Sequence, residues 1–283
     1  MVPLTVSELS KKSCQIRRQV IEMIYQAGSG HPGGSLSAVD ILVALYFGGI
    51  LKADPRDPQN DKRDRFILSC GHEAPAYYAV LANLGFFNEE ALNSLRALNS
   101  PLQGHPSRLW ANFVESSTGS LGQGLAVGVG MAWASRFKPN SKYKVVVLSS
   151  DGEQDEGSHW ESVMFAGYHR LDNLNLIIDQ NGMQIGGWTR EVLDLEPLLQ
   201  KYQLFGWEVA QVDGHDLPRL VSAFSVFNHR TGKPKVVICK TIRGKGVSFM
   251  EGSDKYHSAT LSEDEYSRAR EELDQYLNSN FKV

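Results

Sequence analysis

Five short apolar runs, at 66–70, 145–149, 174–179, 207–212 and 236–240, constrain this chain more than any other feature. Each is rich in Val, Ile or Leu and too short for a buried helix, so each reads as a strand. Stretches of helical character separate most of them, at 76–84, 89–98, 122–136, 158–168 and 217–228. Two helices precede the first strand. The first, 5–27, opens on Thr5-x-x-Glu8, a capping box, and repeats Leu9, Ile16, Val20 and Ile24 at helical spacing. Gly28, Gly30, Pro32, Gly33 and Gly34 break it, and a second apolar helix follows over 37–47, with Ser37-x-x-Asp40 as a candidate cap. Alternating strands and helices predict an α/β fold, a doubly wound, mostly parallel sheet with helices on both faces. No internal repeat or linker interrupts the pattern. The expectation is a single domain over residues 1–283, with 261–283 a solvated helical flank entered through Ser262-x-x-Glu265.

A formal net charge of -3 over 283 residues leaves no basic face and argues against nucleic acid as a partner. The longest apolar run, 41–51, is too short to span a bilayer and carries Gly48 and Gly49. Polar Ser10, Lys11, Lys12 and Ser13 arrive before any apolar block, unlike a secretory signal. Cys14, Cys70 and Cys239 are scattered and odd in number, which reads as reduced thiols in a cytoplasmic protein rather than a disulfide framework or a catalytic cysteine.

The densest chemistry follows the second strand. Ser149-Ser150-Asp151-Gly152-Glu153 ends it, and one strand later the chain reads Asp179-Gln180-Asn181-Gly182-Met183. Ligands of open parallel sheets bind beyond the carboxyl ends of the strands, where Asp151 and Asn181 both fall. Asp151 offers a charged oxygen and Asn181 a neutral carbonyl oxygen; a backbone carbonyl from the next loop could supply a third. Mg²⁺ takes few oxygens from protein and completes its octahedron with phosphate and water. Gly152 lets backbone approach a phosphate, and the helix that follows adds a favourable dipole. Taken singly, a strand-end Asp or Asn does no more than cap a turn. Four of the eight histidines lie in turn-rich loops: Gly30-His31-Pro32, Gly71-His72-Glu73, Gly104-His105-Pro106 and Tyr256-His257-Ser258. None has zinc-ligand spacing.

Asp151-Gly152 with Asn181 thirty residues on resembles the thiamine diphosphate motif, except that Ser150 stands where the motif has its first glycine. The four histidine loops, Ser117-Thr118-Gly119-Ser120-Leu121-Gly122-Gln123-Gly124, Asp151-Gly152 with Glu156-Gly157, and Phe249-Met250-Glu251-Gly252 together resemble the transketolase family over about residues 10–260. The family commonly has Pro at Ser120. The resemblance implies His31, His105 and His257 facing the sugar, and His72 and His257 reaching the cofactor diphosphate. It implies Gly119 and Leu121 against the cofactor rings. Asp151, Asn181 and the Met183 carbonyl would hold Mg²⁺ (Ca²⁺ or Mn²⁺ being substitutes), with the Gly152 amide on phosphate. Glu156 and Glu161 match family glutamates near the dimer axis between two cofactor sites; the plain alternative is two solvent-facing helical carboxylates.

A whole transketolase has a second α/β domain, which supplies the glutamate facing the aminopyrimidine and the arginines that bind sugar phosphate. The resemblance therefore implies an N-terminal subunit of a split enzyme that moves a two-carbon ketol unit between sugar phosphates. It would be inactive until a C-terminal partner completes an α2β2 assembly. Other readings are a non-catalytic cofactor-binding regulator, a deoxyxylulose-phosphate synthase-like or dehydrogenase E1-like component, and a nicotinamide dehydrogenase. The last lacks GxGxxG after its first strand.

Overall fold

The computed structural model describes residues 2–138 and 143–281. Helix α1 (Val6–Ala27) is entered through the capping box: the Thr5 amide donates to Glu8 at 2.8 Å and the Glu8 amide to the Thr5 hydroxyl at 3.4 Å. It ends on Gly28 at φ 65°. Helix α2 (Pro32–Phe47) is buried on every side, the state expected of a helix apolar all round. It begins five residues before the expected start at Ser37. Pro32 takes the first helical position, where its missing N–H costs nothing. Gly33 and Gly34 continue the helix because other segments press on them: a Cβ at Gly33 would lie 2.8 Å from the Tyr256 carbonyl oxygen. Ser37 caps nothing; its hydroxyl sits inside α2, between the Gly34 carbonyl and the Asp179 carboxyl.

Five strands form one sheet: β1 (Arg65–Leu68), β2 (Val145–Ser150), β3 (Leu174–Gln180), β6 (Glu208–Asp213) and β7 (Lys235–Lys240). Their order is β1-β2-β3-β7-β6 and every pair is parallel. A two-stranded antiparallel ribbon, β4 (Met183–Gln184) and β5 (Gly187–Trp188), follows β3. The remaining helices are α3 (Ala74–Leu84), α4 (Gln123–Ala134), α5 (Gly157–Tyr168), α6 (Thr189–Val192), α7 (Leu198–Leu204), α8 (Leu217–Ser225) and α9 (Glu263–Asn280).

Residues alternate between two cores along the strands. Phe66, Leu68, Val146, Leu148, Ile177, Val237 and Cys239 pack with α1, α2, α3, α8 and α9. Ile67, Val145, Val147, Leu176, Ile178, Val236 and Ile238 pack with α4, α5 and α7 on the other face. Burial on both faces is why β2, β3 and β7 read as apolar runs, whereas edge strand β6 is only partly buried and mixes polar residues in.

Two expectations change. Residues 89–98 hold a 3₁₀ helix, Glu89–Ser94, in place of a full helix. Beyond it Arg96 and Asn99 turn to φ 61° and 65°, and the Arg96 amide donates to the Leu102 carbonyl at 2.8 Å. This tight loop carries the chain back toward His105. The closing helix is polar, but it is not a solvated flank. Ala269 and Leu273 are buried, and Tyr266 stacks on Tyr25 of α1 with ring centroids 4.1 Å apart. Its capping box at Ser262 and Glu265 forms as expected, while the last two residues of the flank, 282 and 283, lie outside the described residues.

Helix α4 touches the strand layer through its glycines. A Cβ at Gly124 would fall 2.3–2.7 Å from Ser69, whereas one at Gly130 would meet nothing within 4 Å. Gly124→Ala is therefore expected to lower stability by about 1–3 kcal/mol, and Gly130→Ala to raise it by up to ~1 kcal/mol. Urea denaturation of the two variants measures the contrast.

Candidate cofactor and substrate site

Parallel register builds the site. Ser150 pairs with Asp179 and Gln180 with Lys240, so the chain leaves β2, β3 and β7 side by side at one edge of the sheet. Above that edge is a cleft of about 290 Å³. Of the predicted site residues, His31, His72, His105, Gly119, Leu121, Gly152, Glu156, Asn181, Met183 and His257 line it. Asp151 sits beneath its floor with its carboxyl buried. Glu161 does not reach the cleft: it lies on the exposed face of α5, so within this chain it is a surface residue and not a cofactor contact.

The four histidines arrive on four different loops. His31 precedes α2, and its loop is clipped to the His257 loop by a bridge in which Gly30 and Ala259 exchange backbone hydrogen bonds of 3.1 and 2.9 Å. His72 lies in a 3₁₀ turn after β1. His105 packs over Gly119, whose φ of 128° and the 2.9 Å at which an added Cβ would meet the imidazole exclude a side chain. The rings form a wall: His31 stands 5.7 Å from His72, 5.9 Å from His105 and 5.6 Å from His257, and His72 stands 5.4 Å from His257.

Burial, then mutual repulsion, lowers their proton affinity. His31 falls to about 4 through desolvation, then His257, His105 and Arg96. His257 falls to about 4 through desolvation and Arg243. His72 is pushed well down and His105 down, in both cases chiefly by burial. Near neutral pH the wall is a set of neutral imidazoles, each with one nitrogen to donate and one to accept.

Oxygens gather at the other end of the cleft. The Asp151 carboxylate accepts the Gly182 amide at 2.6 Å, and the Asn181 side-chain oxygen accepts the Met183 amide at 3.1 Å. The Met183 carbonyl accepts from Arg243 Nη2 at 2.7 Å and keeps a second lone pair. Burial first and Asp179 second raise Asp151 to about 8. Among the described residues no three His, Cys, Asp or Glu side chains form a metal cluster. One carboxylate, one amide and one carbonyl make a hard-oxygen set that suits Mg²⁺ only when phosphate and water fill the remaining positions.

Three residues here escaped sequence reasoning. Arg243, in the turn after β7, is buried, and its Nε and Nη1 have no partner. A desolvated guanidinium with two free donors calls for an anion. It donates to Met183 of the oxygen cluster, so a cation-binding set and a free anion-binding group adjoin, and the residues present fit a metal-bound diphosphate. A signal did exist, since Thr241-Ile242-Arg243-Gly244-Lys245-Gly246 is a glycine-flanked basic turn at a parallel strand end. Arg96 adds positive charge near His31 and His105. Buried Glu153 accepts the Gly122 amide at 2.9 Å, the Ser150 amide at 3.2 Å and the Ser69 hydroxyl, tying three cofactor-side loops together.

A parallel sheet whose edge joins an oxygen cluster, a guanidinium with two free donors and a histidine wall has the make-up of a cofactor-binding domain. A protein-family profile described as "Transketolase, thiamine diphosphate binding domain" matches residues 10–283. The chain is 39% identical over 274 residues to an apulose-4-phosphate transketolase subunit from Phocaeicola vulgatus, covering 97% of this chain and 96% of that one. It is 42% identical over 269 residues to the 6-deoxy-6-sulfo-D-fructose transketolase subunit SqwG of a Clostridium species, covering 94% and 96%. Against human transketolase the identity is 36% over 269 residues, 95% of this chain but 42% of that protein. The crystal structure of transketolase from Campylobacter jejuni superposes with a TM-score of 0.89 at 33% identity, over 96% of this chain and 43% of that one. The chain belongs to the transketolase family, as its N-terminal, thiamine diphosphate-binding part.

Asp151 carries a pH signature. Its folded pKa of about 8 lies above the unfolded value, so the folded state holds the extra proton. Stability is then lost as pH rises through 8. His31 and His257, at about 4, change stability only below about 6.5. From pH 6.5 to 8.5 the unliganded protein should melt at progressively lower temperature. Asp151→Asn should lessen that fall, the rest coming from buried Glu73, Glu153 and Asp179, raise the midpoint at pH 8.5 and abolish Mg²⁺-dependent cofactor binding. Thermal melts with and without thiamine diphosphate and Mg²⁺ measure all three.

Proposed function

We propose that this chain is the cofactor-holding half of a two-chain transketolase, and that it grips thiamine diphosphate by the diphosphate through Mg²⁺. The observation that carries this reading is the Arg243 guanidinium, with two donors free, beside the Asp151, Asn181 and Met183 oxygens at a cleft lined by four neutral histidines. Asp151, Asn181 and the Met183 carbonyl would hold the metal. The Gly152 amide, His72 and Arg243 would hold phosphate. Gly119 and Leu121 would lie against the rings, with Glu156 at the rim and Glu161 toward a second copy.

When bound, the cofactor supplies the nucleophilic carbon and the electron sink for ketol transfer. The chain's own part is to orient and exchange protons. His31, His105 and His257 face the space left for the sugar, and as neutral imidazoles they donate to a developing alkoxide or accept from a hydroxyl without first losing a proton.

The partner is inferred from length and surface. Two relatives named as subunits are spanned almost entirely by this chain, while human transketolase is spanned to 42%. Helices α4 and α5 expose Val127, Met164, Phe165 and Tyr168, and Phe137 lies bare just beyond α4. Such a face suits an obligate contact between copies, which commonly buries ~2,000 Å² or more, and an α2β2 assembly follows. The substrates would be sugar phosphates. Three free thiols, all buried, fit a cytoplasmic protein, and among the described residues no helix is long and apolar enough to cross a membrane.

Two experiments test this. By calorimetry with Mg²⁺, Arg243→Ala should weaken thiamine diphosphate by roughly 10- to 100-fold, the value of a charge-assisted hydrogen bond. Thiamine, which lacks the diphosphate, should be unaffected; equal loss for both would move Arg243 off the phosphate. Separately, the purified chain should not turn over ketose phosphates until a chain carrying the pyrimidine-binding domain is added. Turnover by the chain alone at roughly 1–10³ s⁻¹ would place the missing acid within these 283 residues and end the two-chain reading.

A further inference from the structure

Behind the cleft, on the far side of the turn that carries Arg243, three charged or polar side chains from three distant segments meet in the interior. Arg17 of α1 donates Nη1 and Nη2 to the Asp40 carboxylate of α2 at 3.0 and 2.6 Å. His215, in the loop between β6 and α8, places Nδ1 2.8 Å from the same carboxylate. Arg17 and Asp40 are both more than nine-tenths buried. Buried ion pairs are poor contributors to stability, because desolvation offsets their attraction. Well-packed apolar residues would serve a purely structural need at least as well.

The triad's outward contacts show what it acts on. His215 Nε2 accepts the Ile242 amide at 2.9 Å, and Arg17 Nε donates to the Lys245 carbonyl at 2.9 Å. Both are in the turn after β7, on either side of Arg243. A backbone N–H can only donate, so Nε2 must be the bare nitrogen, and Nδ1 carries the proton given to Asp40. Asp40 thereby fixes both the tautomer and the ring angle of His215. The turn is held on its other side by the Gly244 amide on the Gly33 carbonyl at 2.9 Å and by Thr241 on Asp179. Between these clamps Arg243 projects into the cleft and reaches Met183.

We infer that His215 is a positioning residue for the diphosphate end of the site: oriented by Asp40, it fixes the turn that aims Arg243 across the oxygen cluster. The role rests on the function proposed above and extends it to a residue with no place in the cleft lining. Because His215 does not line the cleft, its direct hold on the turn is through the backbone of Ile242.

The test compares three variants of the whole chain. His215→Ala removes the acceptor; His215→Gln offers an amide oxygen to Ile242 and an amide N–H to Asp40; Leu220→Ala cuts the core on neighbouring α8 and serves as a stability control. Amide exchange is read without ligand, and thiamine diphosphate affinity is read by calorimetry with Mg²⁺, at a temperature where all variants are folded. His215→Ala should speed exchange at Ile242 and the residues after it, and weaken binding roughly 5- to 30-fold, the factor that one or two lost kilocalories convert to. His215→Gln should recover most of both, and Leu220→Ala should change neither. Unchanged exchange in His215→Ala, faster exchange with unchanged affinity, or a glutamine variant as impaired as the alanine one overturns the role while leaving the proposed function standing. A wild-type chain that does not bind thiamine diphosphate with Mg²⁺ overturns both.

Discussion

The register of three parallel strands governs the site. Because Ser150 lies opposite Asp179, and Gln180 opposite Lys240, the chain leaves β2, β3 and β7 at the same height and on the same edge. Asp151, Asn181 and Arg243 become neighbours only through that pairing. In a parallel sheet all carboxyl ends share one edge, so three separate sequence segments can each contribute a group to one ligand. The register in turn rests on two apolar faces that alternate residue by residue. A slip by one position would move every buried valine and isoleucine to the opposite core.

Charge at that edge is arranged against its own stability. Asp151, Glu153, Asp179 and Glu73 are all buried, and burial pushes every one of them up, with mutual repulsion adding to the effect for Asp151 and Glu73. Arg243 is buried facing them with two donors free. Acid beneath and guanidinium beside are complementary in sign, yet Arg243 spends its one hydrogen bond on a neutral carbonyl. On the function proposed above, a divalent cation would meet the acid and a diphosphate the arginine, resolving both halves of this arrangement. Stability given up in the unliganded protein is available to ligand binding, as is common where a site is built ahead of its ligand.

How much of this could be read from the sequence follows the range of the interactions. The inner strands were legible because burial on both faces leaves an apolar run, and α1 because its cap and its periodicity are both local. The start of α2 was not legible. Gly33 and Gly34 look like helix breakers in isolation, and only the approach of Tyr256, Arg243 and His72 makes glycine the residue that a helix needs there. The 3₁₀ segment at 89–94 is likewise decided by the loop that returns to His105. In the cleft, Asp151 and Asn181 announce themselves by their places after two strands. Arg243 has a local mark, a basic residue in a glycine-flanked turn at a strand end, but its partner Met183 lies 60 residues away; Glu153 joins Gly122 and Ser69, 31 and 84 residues distant, to nearby Ser150.

The cleft's composition bears on the proposed need for a second chain. Its lining offers four neutral imidazoles, an arginine at the phosphate end and backbone around Gly119, but the carboxylates on it are Asp155 and Glu156 alone, and Glu156 is exposed. A carboxylic acid that must stay protonated against a heterocycle needs a desolvated pocket, as the buried acids below the floor demonstrate. Glu153 is committed to Ser69, Gly122 and Ser150, and Asp179 to Ser37 and Thr241; Glu73 keeps one oxygen without a partner but is not on the cleft lining. The open side of the cleft, between Leu121, Ile185 and Glu156, is where low dielectric is still missing. Ile185 is largely exposed there, and Trp188, Val192 and Leu193 on the adjoining ribbon and helix are close to half exposed. A second chain closing over that rim would cover apolar surface, exclude water from the histidine wall and bring its own acid into the desolvated space it had just created. Completion of the site and stability of the contact would thus come from the same buried area.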